Sequence, residues 1–477
     1  MRHSATARTA VTGGTGLAAL FEAQVRADPR AAAYVCGDAV VSFGELRSRV
    51  HGLAHRLRAL GVGPDVPVGL YLPRSIDSAV GLLAILAAGG GYVPLDPGYP
   101  VGQVEHMLGD TRARAVVTSP ELSGSLPRSA PAVFVDGPAA SFAPVATAPW
   151  HLSHIMYTSG STGAPKGVLV PQRQLLNRFS WMWRRYPFGA DDVLCQRSGV
   201  GFSVSMWEFL GGLLRGIPTV LVPASADRDP VELLDTLHRH RVTRVTVVPS
   251  LLRVLLSIGR SPLLPHVRQW TVCGEPLTRE LYDRLLLATP AAQVCVDYGT
   301  TETNGFLWND TGRSPSPRPT VPVGRPAADM SVSLLDGSGQ PVPPGEPGYV
   351  HVRGPGLARG YLNQPDLTAD RFGPAGFRPG DLARLVPGEG YEFVGRTDNQ
   401  VKIHGVRVEL EGVEAHLREH PSVAHAVAAA PDGVLVAHVV AAPGADRDPA
   451  ALRRFLATRL PPAAVPTRYA YTEAIPV

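Results

Sequence analysis

The sequence predicts an α/β protein with three parts: a large layered α/β body, a β-rich lobe, and a small α+β unit at the C-terminal end. Three observations carry this expectation. From about Leu17 to Val170, helical stretches alternate with short apolar runs, which is the βαβα rhythm of a layered fold. The rhythm resumes over residues 190–300. From about Pro315 to Val394 the texture changes to Pro, Gly and short alternating runs, the pattern of a β-rich sheet or barrel.

In chain order, VSFGELRSRVHGLAHRLRALGV places Leu46, Val50, Leu53 and Leu57 at helical spacing, and the strand-like VPVGLYL follows. PTVLVP, VTRVTVVPS and QWTVCG read as buried strands between helices. SVSLLD and GYVHVRG alternate as strands of the β-rich part, and a small α/β unit begins near GRTDNQ. The Pro/Gly-rich stretches 311–326 and 337–348 read as turns, and no repeat period is visible.

Composition excludes several function classes. The 477 residues are 44% hydrophobic, enough for a globular core of about three domain-sized units. A formal charge of +4 is spread over scattered arginines without a like-charge run, so no nucleic-acid partner is expected. Cys36, Cys195, Cys273 and Cys295 lie far apart and form no CxxC, which fits a reduced cytoplasm. The most apolar stretch, AVGLLAILAAGGGYV, falls short of the roughly 20 residues of a membrane span, and the N-terminus has no apolar h-region; the chain reads as soluble and unexported. The pairs His151/His154 and His416/His420 lack a third ligand and read as solvated.

Only two of the 45 basic residues are lysines, Lys166 and Lys402. Thr158, Ser159, Gly160, Ser161, Thr162 and Gly163 precede Lys166 after the strand-like HIMY. Such a loop turns backbone N–H groups toward an anion, and the lysine adds charge. It is not a Walker A motif, and alone it reads equally as an ordinary surface loop.

Further segments follow in order: VSFGEL, LAAGGGYVPLDPGYP, YTSGSTGAPKGV, FSVSMWEFL, YGTTET, GLARGYLNQPDLTADRF, RPGDL and GRTDNQVKIHGVRVELEGVE. On these the chain resembles the adenylate-forming superfamily, specifically the amino-acid-activating adenylation domains of nonribosomal peptide synthetases. The resemblance implies a core of residues 1–395 that binds ATP and the acyl substrate, and a C-terminal lid of residues 396–477. It implies activation of a carboxylate by ATP with Mg²⁺, then transfer to the phosphopantetheine thiol of a peptidyl carrier protein, in peptide or antibiotic biosynthesis.

Residue by residue, it implies that the 158–166 loop cradles the departing pyrophosphate with Lys166, that Glu302 holds Mg²⁺, and that Tyr298 and Thr301 of YGTTET lie at the nucleotide, Tyr298 facing adenine. Asp381 takes the ribose hydroxyls with Arg396 assisting, Asp398 is the hinge, and Lys402 belongs to the thiolation-state loop. The substrate pocket would be lined by Ser203, Val204, Trp207, Thr246, Thr271, Cys273, Asp297, Gly305 and Phe306.

The chain departs from the family in two places of consequence. Ser203 stands where the family has the aspartate that holds the substrate's α-ammonium. A buried charge deprived of its partner costs on the order of 3–5 kcal/mol, so ordinary α-amino acids are disfavoured. Asp297 is the one acid of the lining, which points to an amine off the α-carbon, as in a β-amino or side-chain-amine acid; alternatively Asp297 binds backbone N–H groups or helps with Mg²⁺, or the substrate has no α-amine at all. Second, the family's lysine after a Leu-Pro turn falls due where the chain stops at EAIPV, and the sequence reads as truncated there. Pro379, His404 and Thr300 are smaller departures. With no carrier-like segment in the sequence the carrier is expected in trans, or else outside the sequence given, and the need for a small activating partner protein is left open. An acyl-CoA ligase and a catalytically silent ATP-binding protein are the competing readings.

Overall fold

The computed structural model describes residues 16–127, 129–160, 164–259, 263–310 and 318–473. Two sheets sandwich a buried helix. The first has six strands in the order Ala132–Phe134, Val116–Thr118, Pro67–Tyr71, Gly91–Leu95, Leu152–Thr158 and Lys166–Pro171. Its pairs are parallel except the last, a hairpin in which Thr158 lies opposite Lys166.

The second sheet has nine strands, running from Arg325–Pro326 through Leu307–Asn309, Gln293–Tyr298, Gln269–Cys273, Arg244–Val247, Leu194–Gln196, Thr219–Leu221 and Ala32–Cys36 to Ala39–Ser42. The interior pairs are parallel and the edges antiparallel. Helix Ile76–Ala87, from the most apolar stretch of the sequence, packs in the core cluster shared by both sheets. Helix Phe43–Ala59 buries Leu46, Val50, Leu53 and Leu57 as their spacing predicts, and Ser42 with Glu45 closes its N-terminus in a capping box.

The β-rich lobe is antiparallel and spans Ser331–Arg396, starting later than the expected Pro315: Arg325–Pro326 pairs with the nine-stranded sheet, and residues 311–317 lie outside the described residues. The C-terminal unit has its own core from Ile403 to Val465. It contains the hairpin Gln400–Ile403/Val406–Glu409, helix Leu410–Arg418, the strands Val423–Ala429, Val436–Ala441 and Arg468–Tyr471, and helix Pro449–Ala457.

Of the histidine pairs, His154 is buried rather than solvated; its Nδ1 contacts Ser153 Oγ at 2.9 Å and burial pushes its pKa down to about 3. Among the described residues no helix is long and apolar enough to cross a membrane.

Candidate active site

The chemistry-bearing segments meet where the C-terminal hairpin touches the body. Lys166 ends the phosphate loop because the strands on either side pair Thr158 with Lys166. Its ammonium is buried, 5.3 Å from the Tyr361 ring centroid and 4.0 Å from Glu409 Oε1. Burial first, then the nearby Arg407 charge, lowers its pKa to about 8. Ser159 Oγ donates to the Arg407 carbonyl at 2.9 Å, and Gly160 lines the adjoining cavity. Thr158 Oγ1 is buried without a hydrogen-bond partner. Ser161, Thr162 and Gly163 lie outside the described residues.

Glu302 has no solvent exposure. It accepts from the Tyr361 hydroxyl at 2.8 Å and from Arg407 Nη1 at 3.2 Å. Burial alone would raise its pKa; the Arg407 and Lys166 charges outweigh this and take it down to about 2. Arg407 and Lys402 are cross-strand partners in the hairpin, so one face of it carries both cations toward the body. A two-residue turn, His404 and Gly405, both at positive φ, closes that hairpin. The sequence reading missed Arg407, Glu409 and Tyr361 as site residues. For Arg407 and Glu409 the signal lay in the alternation of VRVE.

Asp381 and Arg396, expected at the ribose, are register partners on adjacent strands and form an ion pair. Arg396 also forks onto Asp398 at 2.7 and 2.9 Å, and despite burial these contacts hold the Asp398 carboxyl below its ordinary range. The Tyr298 hydroxyl donates to Asp381, while its ring packs edge-on to Phe306 at 5.2 Å and against Phe393 at 6.0 Å. Tyr298 thus orients Asp381. Thr301 lines the cavity, and its carbonyl accepts from Gln174 Nε2 at 3.3 Å.

A cavity of about 490 Å³ adjoins the loop. Ser203, at the N-terminal end of helix Val204–Leu210, enters it with Val204 and Trp207 of that helix. Thr246, Thr271 and Cys273 enter from the C-terminal ends of parallel strands, as ligand sites of open α/β sheets do. Burial pushes the Cys273 thiol up to about 12. Asp297 lies beside Cys273 in register, and Gly305 completes the wall. Phe306 is set apart from the others: it is fully buried behind the pocket in the core around Tyr298. Lys402 reaches the same cavity, its pKa lowered by burial.

Asp297 is not alone. Arg178, from helix Gln172–Arg185, pairs with it through Nη2 to Oδ2 at 2.8 Å. Burial raises the Asp297 pKa and Arg178 opposes that rise. The sequence signal was available: Arg178 occupies the buried face of its helix with Leu175, Phe179 and Met182.

A two-sheet body, a Ser/Thr/Gly loop ending in Lys166, the buried Asp381–Arg396 pair and a small unit contributing a cationic hairpin are brought together here. Residues 21–362 match the AMP-binding enzyme family, and the chain belongs to that family. It is 37% identical over 96% of its length to one of the linear gramicidin synthase proteins of Brevibacillus parabrevis, and 37% identical over 97% to phosphinothricin tripeptide synthetase PhsB of Streptomyces viridochromogenes. It spans 6% and 41% of those proteins, respectively. The crystal structure of IdnL1 matches with a TM-score of 0.82 at 27% identity, covering 97% of this chain and 99% of that one. An adenylation–PCP di-domain fusion, NpsA-ThdA from Klebsiella oxytoca, shares the fold with a TM-score of 0.84 at 22% identity, covering 97% of this chain and 94% of that one.

Proposed function

We propose that the chain activates an amino acid or related carboxylic acid with ATP and passes the acyl group to the phosphopantetheine thiol of a carrier protein, in nonribosomal peptide biosynthesis. The substrate carboxylate attacks the α-phosphate and pyrophosphate leaves. This chemistry needs positioning and charge neutralisation more than covalent participation. Lys166 and the 158–160 backbone neutralise the leaving group, and Asp381, oriented by Tyr298 and Arg396, holds the ribose. The observation that carries this reading is the convergence of Lys166 and Glu302 with Arg407 and Glu409 at the phosphate loop.

Glu302 is the residue that would hold Mg²⁺. A lone buried carboxylate suits this ion, which takes one or two carboxylates plus substrate phosphates rather than an all-protein cage. Among the described residues no cluster of three or more His, Cys, Asp or Glu side chains forms such a cage. Bound there, the ion supplies charge neutralisation at the phosphates. Arg407 now covers that carboxylate, so the hairpin must withdraw before the nucleotide's metal complex is seated. The hairpin's position, with Lys402 in the cavity, supports the thioester-forming arrangement.

The acid we assign carries its amine off the α-carbon, because Ser203 supplies no charge where the family resemblance puts the α-ammonium, and Asp297 supplies one elsewhere in the pocket lining. The test is ATP–pyrophosphate exchange over α-amino, β-amino, diamino, hydroxy and aryl acids. Exchange with β-amino or diamino acids that Asp297→Asn abolishes supports the assignment. Strongest exchange with ordinary α-amino acids would contradict it.

A further inference from the structure

The Arg178–Asp297 pair, whose two residues line the cavity, is incomplete within the described protein. Asp297 Oδ2 and Arg178 Nη2 satisfy each other, while Asp297 Oδ1 and Arg178 Nη1 are buried without a hydrogen-bond partner among the described residues. Buried ionic groups normally have all their donors and acceptors matched, so an orphaned donor beside an orphaned acceptor marks an edge shaped for a ligand. Both residues line the cavity. Gly305 keeps the edge open: a Cβ there would lie 2.5 Å from Asp297 Oδ1 and 3.2 Å from Arg178 Cζ.

Arg178 is held rigidly in this role. It is 6% exposed, and its guanidinium packs over the rings of Trp308 and Trp181, with Cζ 4.6 and 5.2 Å from their centroids. Trp308 Nε1 in turn donates to the Tyr186 hydroxyl at 2.5 Å. A guanidinium clamped by aromatic faces has lost its rotamer freedom in advance, so a hydrogen bond to it costs little further entropy.

Charge decides what the edge takes. Five cations, Arg178, Arg197, Lys402, Arg407 and Arg459, line the cavity with two acids, Asp297 and Glu409. Arg197 Nε is a second buried cationic donor without a partner among the described residues, although Nη1 of the same side chain donates to the Thr246 carbonyl at 3.2 Å. Glu208, beside Arg197, already accepts from the backbone N–H groups of Arg197 and Ser198 at 3.1 and 2.8 Å. A substrate offering an ammonium alone would add a further cation to this surplus. One offering an ammonium and a carboxylate on the same carbon satisfies Asp297 Oδ1 and Arg178 Nη1 side by side.

We propose that Arg178 is a specificity-determining residue and that the acid activated here is an amino dicarboxylic acid, bound with its amine on Asp297 and its second carboxylate on Arg178. The inference rests on the placement of the amine at Asp297, and it extends that reading by one charged group. Relative to the carboxylate that is adenylated, both groups sit on the β-carbon or beyond.

Calorimetric binding of non-hydrolysable sulfamoyladenosine analogues tests this without turnover. Three acyl groups are compared: β-alanyl, with an amine only; succinyl, with a carboxylate only; and aspartyl joined through its β-carboxylate, with both. The β-aspartyl form is expected to bind about tenfold or more tighter than β-alanyl, the size of one charge-assisted hydrogen bond. Arg178→Gln should erase that gap and Arg178→Lys should restore part of it. Equal binding of β-aspartyl and β-alanyl forms by the wild-type chain overturns the inference even if the variants misfold, and so does a gap that survives Arg178→Gln. Equal binding of β-aspartyl and succinyl forms would instead overturn the placement of the amine at Asp297.

Discussion

Arg407 of the C-terminal hairpin donates to Glu302 of the body, Nη1 to Oε1 at 3.2 Å, across 105 residues of sequence. Arg407 also lies 3.4 Å from Glu409, and its backbone carbonyl accepts from Ser159. One arginine therefore joins the C-terminal hairpin to both Glu302 and the 158–166 loop. Under the proposed function, the hairpin and a bound cation would compete for Glu302.

Arg407→Ala should separate the two half-reactions. Acid-dependent pyrophosphate exchange should remain within a few-fold of wild type, because Glu302 is uncovered. Loading of a phosphopantetheinylated carrier, followed by intact-protein mass spectrometry, should fall by about tenfold or more, the loss of a charge-assisted contact. Equal losses in both assays would place Arg407 in the adenylation step itself.

Glu302 ties stability to acid pH. Its carboxyl is held at about 2, below the unfolded value of about 4.3, so it contributes stability that is fully present above the unfolded value. That contribution fades as pH falls toward about 2. Comparing urea midpoints at pH 6 and pH 3, Glu302→Gln should narrow its deficit against wild type at the lower pH. A deficit independent of pH would show that the Glu302 charge does not matter to folding.

Lys166 gives a dependence at the other end. With its pKa lowered to about 8, the ammonium of the nucleotide-free protein is lost as pH rises through that value. Pyrophosphate affinity, measured by calorimetry, should weaken between pH 7 and 9, and Lys166→Met should flatten the profile while weakening binding at pH 7. Because the folded value lies below the unfolded one, the buried charge destabilises the fold at neutral pH, and Lys166→Met should not lower the melting temperature.

Gly305→Ala tests the pocket wall. Gly305 has φ +78°, where an alanine costs about 1–2 kcal/mol, and the new Cβ would collide with Asp297 Oδ1 at 2.5 Å. Binding of the acid should fall strongly while AMP binding is retained. Unchanged acid selectivity would show that Asp297 does not face the substrate.

Much of this site was legible in the sequence because motif residues are near neighbours in the chain. The loop 158–166, the YGTTET run and the pairing of Asp381 with Arg396 are all local or a single hairpin apart. The helix from Phe43 showed itself through the spacing of its buried leucines. Arg178 and Arg407 were not legible as partners because each meets its carboxylate only through tertiary packing. A charge at a core position of an amphipathic helix announces that a partner exists without saying which. Phe306 illustrates the converse: it directly follows Gly305 of the pocket wall, yet its ring is buried behind that wall.

The most direct measurement is phosphorus NMR of ATP mixed with the chain, Mg²⁺ and an amino dicarboxylic or β-amino acid. The expected products are pyrophosphate and an acyl-AMP or AMP signal, formed only when the acid is present and absent in Lys166→Met. ADP and inorganic phosphate would contradict an adenylating ligase, because they require attack at the γ-phosphate instead of the α-phosphate.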